Sequence, residues 1–373
     1  MNHEYINNPG KELFILLAPL DWGLGHATRC IPLIYSLRKY HATVIVAAEG
    51  PVAALLLQEF PGLHILPLKG YHISYSASRS GFILKILSQL PKIQLAINQE
   101  NKWLKRVEIP LHGIISDNRP GLYSKKIPSV YITHQLKINT GVRWLNKVAQ
   151  AIHYQYINRF SECWVPDYPS STQSLAGDLS HPQQMPKIPV KYLGALSRFY
   201  KDERPGQKYD LLLLLSGPEP QRTVFENLLL SHLPGLPGRI ACVRGLPGPH
   251  KKLVDTPNLT FFNHLPANEL NKLISESAMV IARAGYSTVM DLAALQKKAI
   301  LVPTPGQGEQ EYLAGYLYGQ SFCFACRQED FSLNDALKSV GTFSFSAWPF
   351  HKAGHDTIIY DWLVSVRKSA GLQ

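Results

Sequence analysis

The chain has 373 residues, 45% hydrophobic and 17% charged, which excludes a disordered tail and suits two domains of roughly 100–200 residues each. Lys and Arg outnumber Asp and Glu by 38 to 27, a net charge of +11. Residues 1–200 hold 21 basic and 11 acidic side chains, so the positive field belongs to the first half, where anionic lipid, a phosphorylated acceptor or nucleic acid are the partners it suits.

The first twelve residues carry Glu4, Lys11 and Glu12 and do not read as a signal peptide. No run of about 18 apolar residues follows, so no transmembrane helix is expected. The cytoplasm is the default compartment. Leu13–Pro19 is a continuous apolar run, followed by a glycine loop and a helical pattern from Ala27 to Tyr40. Strand-like runs recur at Ala42–Ala48, Leu63–Pro67, Gly113–Ser116 and Ser129–Thr133. Strands apolar at every position are buried on both faces, which implies parallel sheets covered by helices.

Between those runs, Arg79–Arg106 interleaves apolar residues with Arg79, Lys85, Lys92, Lys102, Lys105 and Arg106. Such a pattern suits an interfacial amphipathic segment meeting an anionic membrane surface. The plainer reading is a helix pair interrupted at Pro91, with its cations in solvent.

The pattern restarts after the polar stretch Arg198–Lys208. Leu211–Leu215 is followed by Ser216-Gly217-Pro218, a helix from Gln221, and strands near 239–243, 259–262, 278–282 and 299–302. The expected fold class is therefore α/β, two doubly wound Rossmann-like domains facing across a cleft. Their expected bounds are 1–200 and 201–349, with a last helix at about 350–373 packing back on the first. The five cysteines are scattered; Cys323 and Cys326 form the only C-x-x-C, flanked by apolar residues, and read as reduced thiols rather than metal ligands. No metal site is expected.

Three constellations carry chemistry. The first is Gly23-Leu24-Gly25-His26 after the first strand, where a glycine turn brings backbone close to a ligand and a histidine opens the helix. An imidazole there, facing the cleft, can take a proton from a hydroxyl near neutral pH, although a histidine at a helix start also serves as a simple cap. The second is Arg283-Ala284-Gly285-Tyr286-Ser287-Thr288 with Asp291 one turn later; the helix start can hold a diphosphate and the carboxylate a ribose. The third, Pro303–Tyr312, presents Gln310 and Glu311 after a Pro-Gly loop, side chains suited to sugar hydroxyls. Asp117 and His134 each close a strand on the expected cleft side.

Together these motifs resemble the GT-B glycosyltransferases of the lipid II-forming N-acetylglucosaminyltransferase and galactolipid synthase group, strongly over residues 209–318. The resemblance implies a UDP-sugar donor in the second domain and an acceptor in the first. It implies that Gly23, Gly25, Ser216, Gly217, Arg222, His264, Leu265, Gly285, Ser287, Thr288, Asp291, Gln310 and Glu311 handle the nucleotide sugar. His26 and Asp117 are then the catalytic candidates, and His134 an acceptor contact. Arg222 is the candidate cation for the departing UDP. Asp291 stands where the group has Glu, and Glu311 where it has Gln.

The implied reaction is an inverting hexosyl or N-acetylhexosaminyl transfer without metal or cofactor, in keeping with the absence of an Asp-x-Asp pair. The acceptor it implies is lipid-linked, as in cell-envelope glycan synthesis. A UDP-sugar 2-epimerase of the same architecture is the alternative enzyme, and a basic membrane- or nucleic-acid-binding protein the non-enzymatic one. No nucleic-acid motif supports the latter.

Overall fold

Thirteen strands in two parallel sheets organise the residues that the computed structural model describes, 12–71, 79–138, 143–201, 206–248, 250–350 and 354–372. The first sheet uses β1 (Leu13–Pro19), β2 (Ala42–Ala47), β3 (His64–Leu66), β4 (Gly113–Asp117), β5 (Ser129–Ile132), β6 (Glu162–Val165) and β7 (Val190–Tyr192), in the order β3-β2-β1-β4-β5-β6-β7. The second uses β8 (Tyr209–Leu214), β9 (Ile240–Val243), β10 (Leu259–Phe262), β11 (Ser277–Ala282), β12 (Ala299–Leu301) and β13 (Phe324–Ala325), in the order β10-β9-β8-β11-β12-β13. Both are doubly wound. β1 pairs with β4 and β8 with β11, and between these strands the order reverses.

That reversal positions the chemistry, because crossover helices diverge to opposite faces there and leave a crevice at the carboxyl ends. In the first sheet the crevice lies between the loop after β1 and Asp117, whose backbone is in register with Pro19. In the second it lies between the loops after β8 and β11, with Leu214 beside Ala282. β1 and β4 are buried almost throughout, as strands covered on both faces must be.

The helices are α1 (Leu24–Lys39), α2 (Gly50–Glu59), α3 (Arg79–Leu104), α4 (Arg143–Ile157), α5 (Gln221–Ser231), α6 (Ala267–Ser275), α7 (Tyr286–Leu295), α8 (Gly308–Gly319), α9 (Leu333–Thr342) and α10 (His355–Ser369). α10 packs on the first sheet: Trp362 meets Trp164 edge-on at 5.5 Å and Asp356 takes Lys39 and Ser36 of α1. Among the described residues no helix is long and apolar enough to cross a membrane. The five cysteines are free thiols, with Cys323 and Cys326 flanking β13.

The interruption expected at Pro91 does not occur, and α3 runs through it as one helix of 26 residues. Proline removes one helical hydrogen bond, but Pro91 is exposed, where water can replace it. Downstream, the buried Glu100 accepts from Tyr71 Oη (3.0 Å), Arg119 Nε (2.7 Å) and the Gly121 amide (3.0 Å), which anchors the helix to the sheet. The side chains of residues 79–87, including Arg79 and Lys85, fall outside the described set.

Candidate active site

The loop after β1 turns at Gly23, whose φ of 75° and ψ of −179° suit only glycine. α1 then carries His26 and, one turn on, Arg29 toward the end of β4. His26 Nδ1 lies 3.0 Å from Asp117 Oδ2 and 2.7 Å from Arg29 Nη2. Arg29 Nε also donates to Asp117 at 2.9 Å, and its Nη2 reaches the other carboxylate oxygen. The imidazole is less open than its place in the loop suggests. Only 13% of the side chain is exposed, because Arg29 and Asp117 close over Nδ1.

Burial would lift the Asp117 carboxyl, but the adjoining Arg29 and His26 hold it down at about 2. Burial and Arg29 lower His26, against the pull of Asp117, so the ring is neutral near pH 7. Nδ1 serves one neighbour at a time. Donating to Asp117, it leaves the Nε2 lone pair free as a base; accepting from Arg29, it puts the proton on Nε2.

His134, at the end of β5, is not turned toward an open cleft. Its Nε2 is 2.8 Å from Glu309 Oε1 in the first turn of α8, and its Nδ1 is 3.4 Å from Arg29 Nη1. Tyr286 of α7 stacks on the ring at 4.1 Å and 7°. With both ring nitrogens engaged, His134 joins the two domains. Gln135 also donates to Glu309. Burial would raise the Glu309 carboxyl, but His134 and Arg29 bring it down.

The domains meet again at Gly25. Ser287 Oγ donates to its carbonyl at 2.9 Å, and a Cβ on Gly25 would stand 2.8 Å from that oxygen. The glycine is needed for the approach. α7 starts at Gly285 with no side-chain cap, and α5 starts after Ser216 and Gly217 equally uncapped. The leading amides of α7 thus flank the second crevice as a candidate anion site, whereas at α5 the Arg222 and Thr223 amides are held by the Pro218 carbonyl and Glu219 Oε2.

Three second-domain candidates are already engaged within the protein. Arg222 is not a spare cation: it is buried, with Nε 2.5 Å from Glu219 and Nη1 2.9 Å from Glu226, which also takes Arg244. Gln310 Oε1 accepts from the Thr304 amide (2.9 Å) and Glu311 Oε1 from the Gly306 amide (3.0 Å), so both brace their own loop. Glu309, one residue earlier, makes the crossing instead.

Asp291 accepts from Ser197 Oγ at 2.6 Å, and burial raises its carboxyl to about 6 against the pull of Arg198 and Ser197. Burial and the same Arg198 lower His264, which precedes the buried Leu265. Asp291, Arg198 and His264 therefore form one group. Sequence reading missed Arg198, Arg29 and Glu309. Arg29 had a signal, being one helical turn after His26; Arg198 sits in a polar boundary stretch, where a functional side chain has no distinguishing pattern.

Residues 252–344 match the family model described as the glycosyltransferase family 28 C-terminal domain. A 74-residue stretch is 39% identical to a Rhodopseudomonas palustris protein named UDP-N-acetylglucosamine–N-acetylmuramyl-(pentapeptide) pyrophosphoryl-undecaprenol N-acetylglucosamine transferase. It takes in 19% of this chain and 18% of that one. A Methylobacterium radiotolerans protein of the same name is also 39% identical over 74 residues, 19% of each chain. Over the whole fold, the crystal structure of the glycotransferase of kitacinnamycin superposes with a TM-score of 0.63 at 16% identity, covering 97% of this chain and 96% of that chain. The calicheamicin glycosyltransferase CalG4 gives 0.60 at 12% identity, covering 96% and 95%.

Proposed function

We propose that this protein, of the family 28 type and with the GT-B fold, transfers a hexose or N-acetylhexosamine from a UDP-sugar to an acceptor hydroxyl. The observation that carries this reading is the meeting of the His26–Asp117 pair with the uncapped start of α7, joined by Ser287 and Gly25. A base and an anion cradle face one another, as displacement of a nucleoside diphosphate requires. The donor lies in the second domain and the acceptor in the first. The diphosphate rests on the amides at Ser216–Gly217 and Gly285–Thr288, the nucleoside lies by His264, Leu265, Arg198 and Asp291, and Gln310 and Glu311 border the sugar.

His26 Nε2 removes the acceptor hydroxyl proton as that oxygen bonds to the anomeric carbon from the face opposite UDP. The carbon–oxygen bond to UDP breaks, its electron pair leaves on the diphosphate, and the configuration inverts. Asp117 receives Nδ1–H and stabilises the imidazolium, a role that its strongly acidic carboxyl suits. No metal takes part in this scheme.

The acceptor in this proposal is lipid-linked and the protein works at the cytoplasmic face of a membrane. The relatives' printed name, with its pyrophosphoryl-undecaprenol acceptor, supports that class. So do Leu90, Leu95, Val148 and Ile152, large apolar side chains exposed on α3 and α4 beside the exposed Lys92 and Lys102. Tyr156 and Gln94 bond these two helices to one another.

Thermal shift with UDP-, GDP- and TDP-sugars tests the donor, because a ligand that binds only the folded state stabilises it in proportion to ln(1 + [L]/Kd). Stabilisation by the UDP series alone, with UDP release dependent on an added lipid-linked acceptor, is the expected result. Sugar epimerisation without acceptor would replace this reading with the epimerase.

A further inference from the structure

Among the described residues four arginines are buried: Arg29, Arg119, Arg222 and Arg283. Three of them face carboxylates: Arg29 has Asp117, Arg119 has Glu100, and Arg222 has Glu219 and Glu226. Arg283 has none among these residues. It is 2% exposed. Its Nη1 donates to the carbonyls of Val302 and Pro303, both at 3.2 Å, and its Nη2 to the Gln221 carbonyl at 3.3 Å and Gln328 Oε1 at 2.6 Å. Nε is buried without a hydrogen-bond partner, and the Phe225 ring lies 4.0 Å from the guanidinium carbon.

Carrying a full charge into the core against neutral partners is costly, and a neutral amide could donate to those carbonyls at less cost. Burial alone brings the guanidinium down to about 9, which leaves it charged at neutral pH. Its location gives the charge a use. Arg283 directly follows β11 and stands two residues before Gly285, which caps α7; Gln221, whose carbonyl it holds, is the first residue of α5. The guanidinium is thus tied to the first residue of one cradle helix and sits in the strand-end turn leading into the other.

We propose that Arg283 is a positioning residue that holds a fixed positive charge behind the diphosphate cradle, so that bound diphosphate supplies a counter-charge that no described carboxylate gives it. This rests on the reading that UDP occupies that cradle. The side chain acts by its field rather than by contact, since its Nη donors already serve Val302, Pro303, Gln221 and Gln328. Arg222 cannot take this part, because Glu219 and Glu226 cancel its charge. A charge sealed from water acts over a longer range than a solvated one and is little screened by salt. It also needs no reorganisation when the glycosidic bond breaks and negative charge grows on UDP.

Calorimetric titration of uridine, UMP and UDP into the wild-type protein, Arg283→Met and Arg283→Lys at pH 7 separates a field from a scaffold. In Arg283→Met, UDP affinity should fall about tenfold or more, UMP less, and uridine under about twofold, since the loss scales with ligand charge. Arg283→Lys should keep the UDP-to-uridine affinity ratio within about threefold of wild type, although its thermal midpoint drops with the lost fork of hydrogen bonds. Equal loss for all three ligands in Arg283→Met would overturn the proposal, as would a UDP affinity that does not change. If Arg283→Met does not fold, the lysine variant decides: a retained ratio supports the field, and a ratio that collapses defeats it. A wild-type protein that binds none of the three ligands refutes the UDP reading itself, and this inference with it.

Discussion

The two sheets put their candidate site residues at equivalent places and fill them with different chemistry. At the β1/β4 reversal the first domain gathers His26, Arg29 and Asp117, a neutral imidazole held between two fixed charges, and Arg29 reaches on to His134. At the β8/β11 reversal the second domain offers helix amides, and its buried cations are either neutralised, as Arg222 is, or left without a carboxylate, as Arg283 is. Under the proposed function the contrast separates proton transfer from anion binding. A base must change its charge during the reaction and so needs a counter-charge that stays ionised beside it, as Asp117 does. A diphosphate cradle must keep its field constant and is best made of dipoles and fixed charge.

The sharpest way to break that division is at His26. His26→Ala should lower kcat by about 10²–10⁴ while UDP affinity stays within about twofold of wild type. Steady-state kinetics beside calorimetry check this. A collapse of UDP binding with turnover preserved at saturation would move His26 to the binding side.

Asp117 tests the same domain through stability. Asp117→Ala leaves Arg29 buried and unpaired and should cost about 3–5 kcal/mol in denaturant unfolding. Because its folded carboxyl lies at about 2 against an ordinary value of 3.8, the stability from Asp117 is complete above pH 4 and is lost as pH falls toward 2. The variant should therefore show a flatter acid limb than wild type, and an unchanged limb would dissociate Asp117 from acid unfolding.

In the second domain the expected effects are smaller and of opposite sign. Asp291→Ala should lose about 1–3 kcal/mol of UDP affinity by calorimetry; unchanged affinity would remove Asp291 from the site. The Asp291 carboxyl is raised to about 6, so it binds more protons folded than unfolded between pH 4 and 6, and its contribution to stability declines as pH rises through that window. Asp291→Asn, which can still accept from Ser197, should raise the thermal midpoint at pH 7 by the equivalent of about 1–2 kcal/mol. A midpoint that falls would show the charge to be stabilising.

The weakest effect is at the surface of the first domain. Each cation near an anionic bilayer contributes only about 1 kcal/mol, so vesicle binding should need anionic lipid and be released by about 0.5 M salt. Co-sedimentation with anionic and neutral vesicles measures it. Absence from both, with full activity on a water-soluble acceptor, would end the membrane part of the proposal.

Local pattern carried much of this protein. Strands apolar at every position require cover on both faces, so two parallel sheets follow from Leu13–Pro19 and Leu211–Leu215 with their neighbours. Gly23, three residues before His26, follows from the positive-φ turn it must make. Even the pairing of Arg222 has a local sign, because Glu226 stands four residues after it on α5 and Glu219 three residues before it in the turn that enters the helix. Tertiary structure alone decided which distant charges meet: Asp117 with Arg29 across 88 positions, His134 with Glu309 across 175, and Arg283 with no carboxylate among the described residues. The physical reason is that backbone preference and hydrophobic period act over a few residues. The state of a buried charge depends on whatever the fold brings within a few ångströms, wherever that residue stands in the chain.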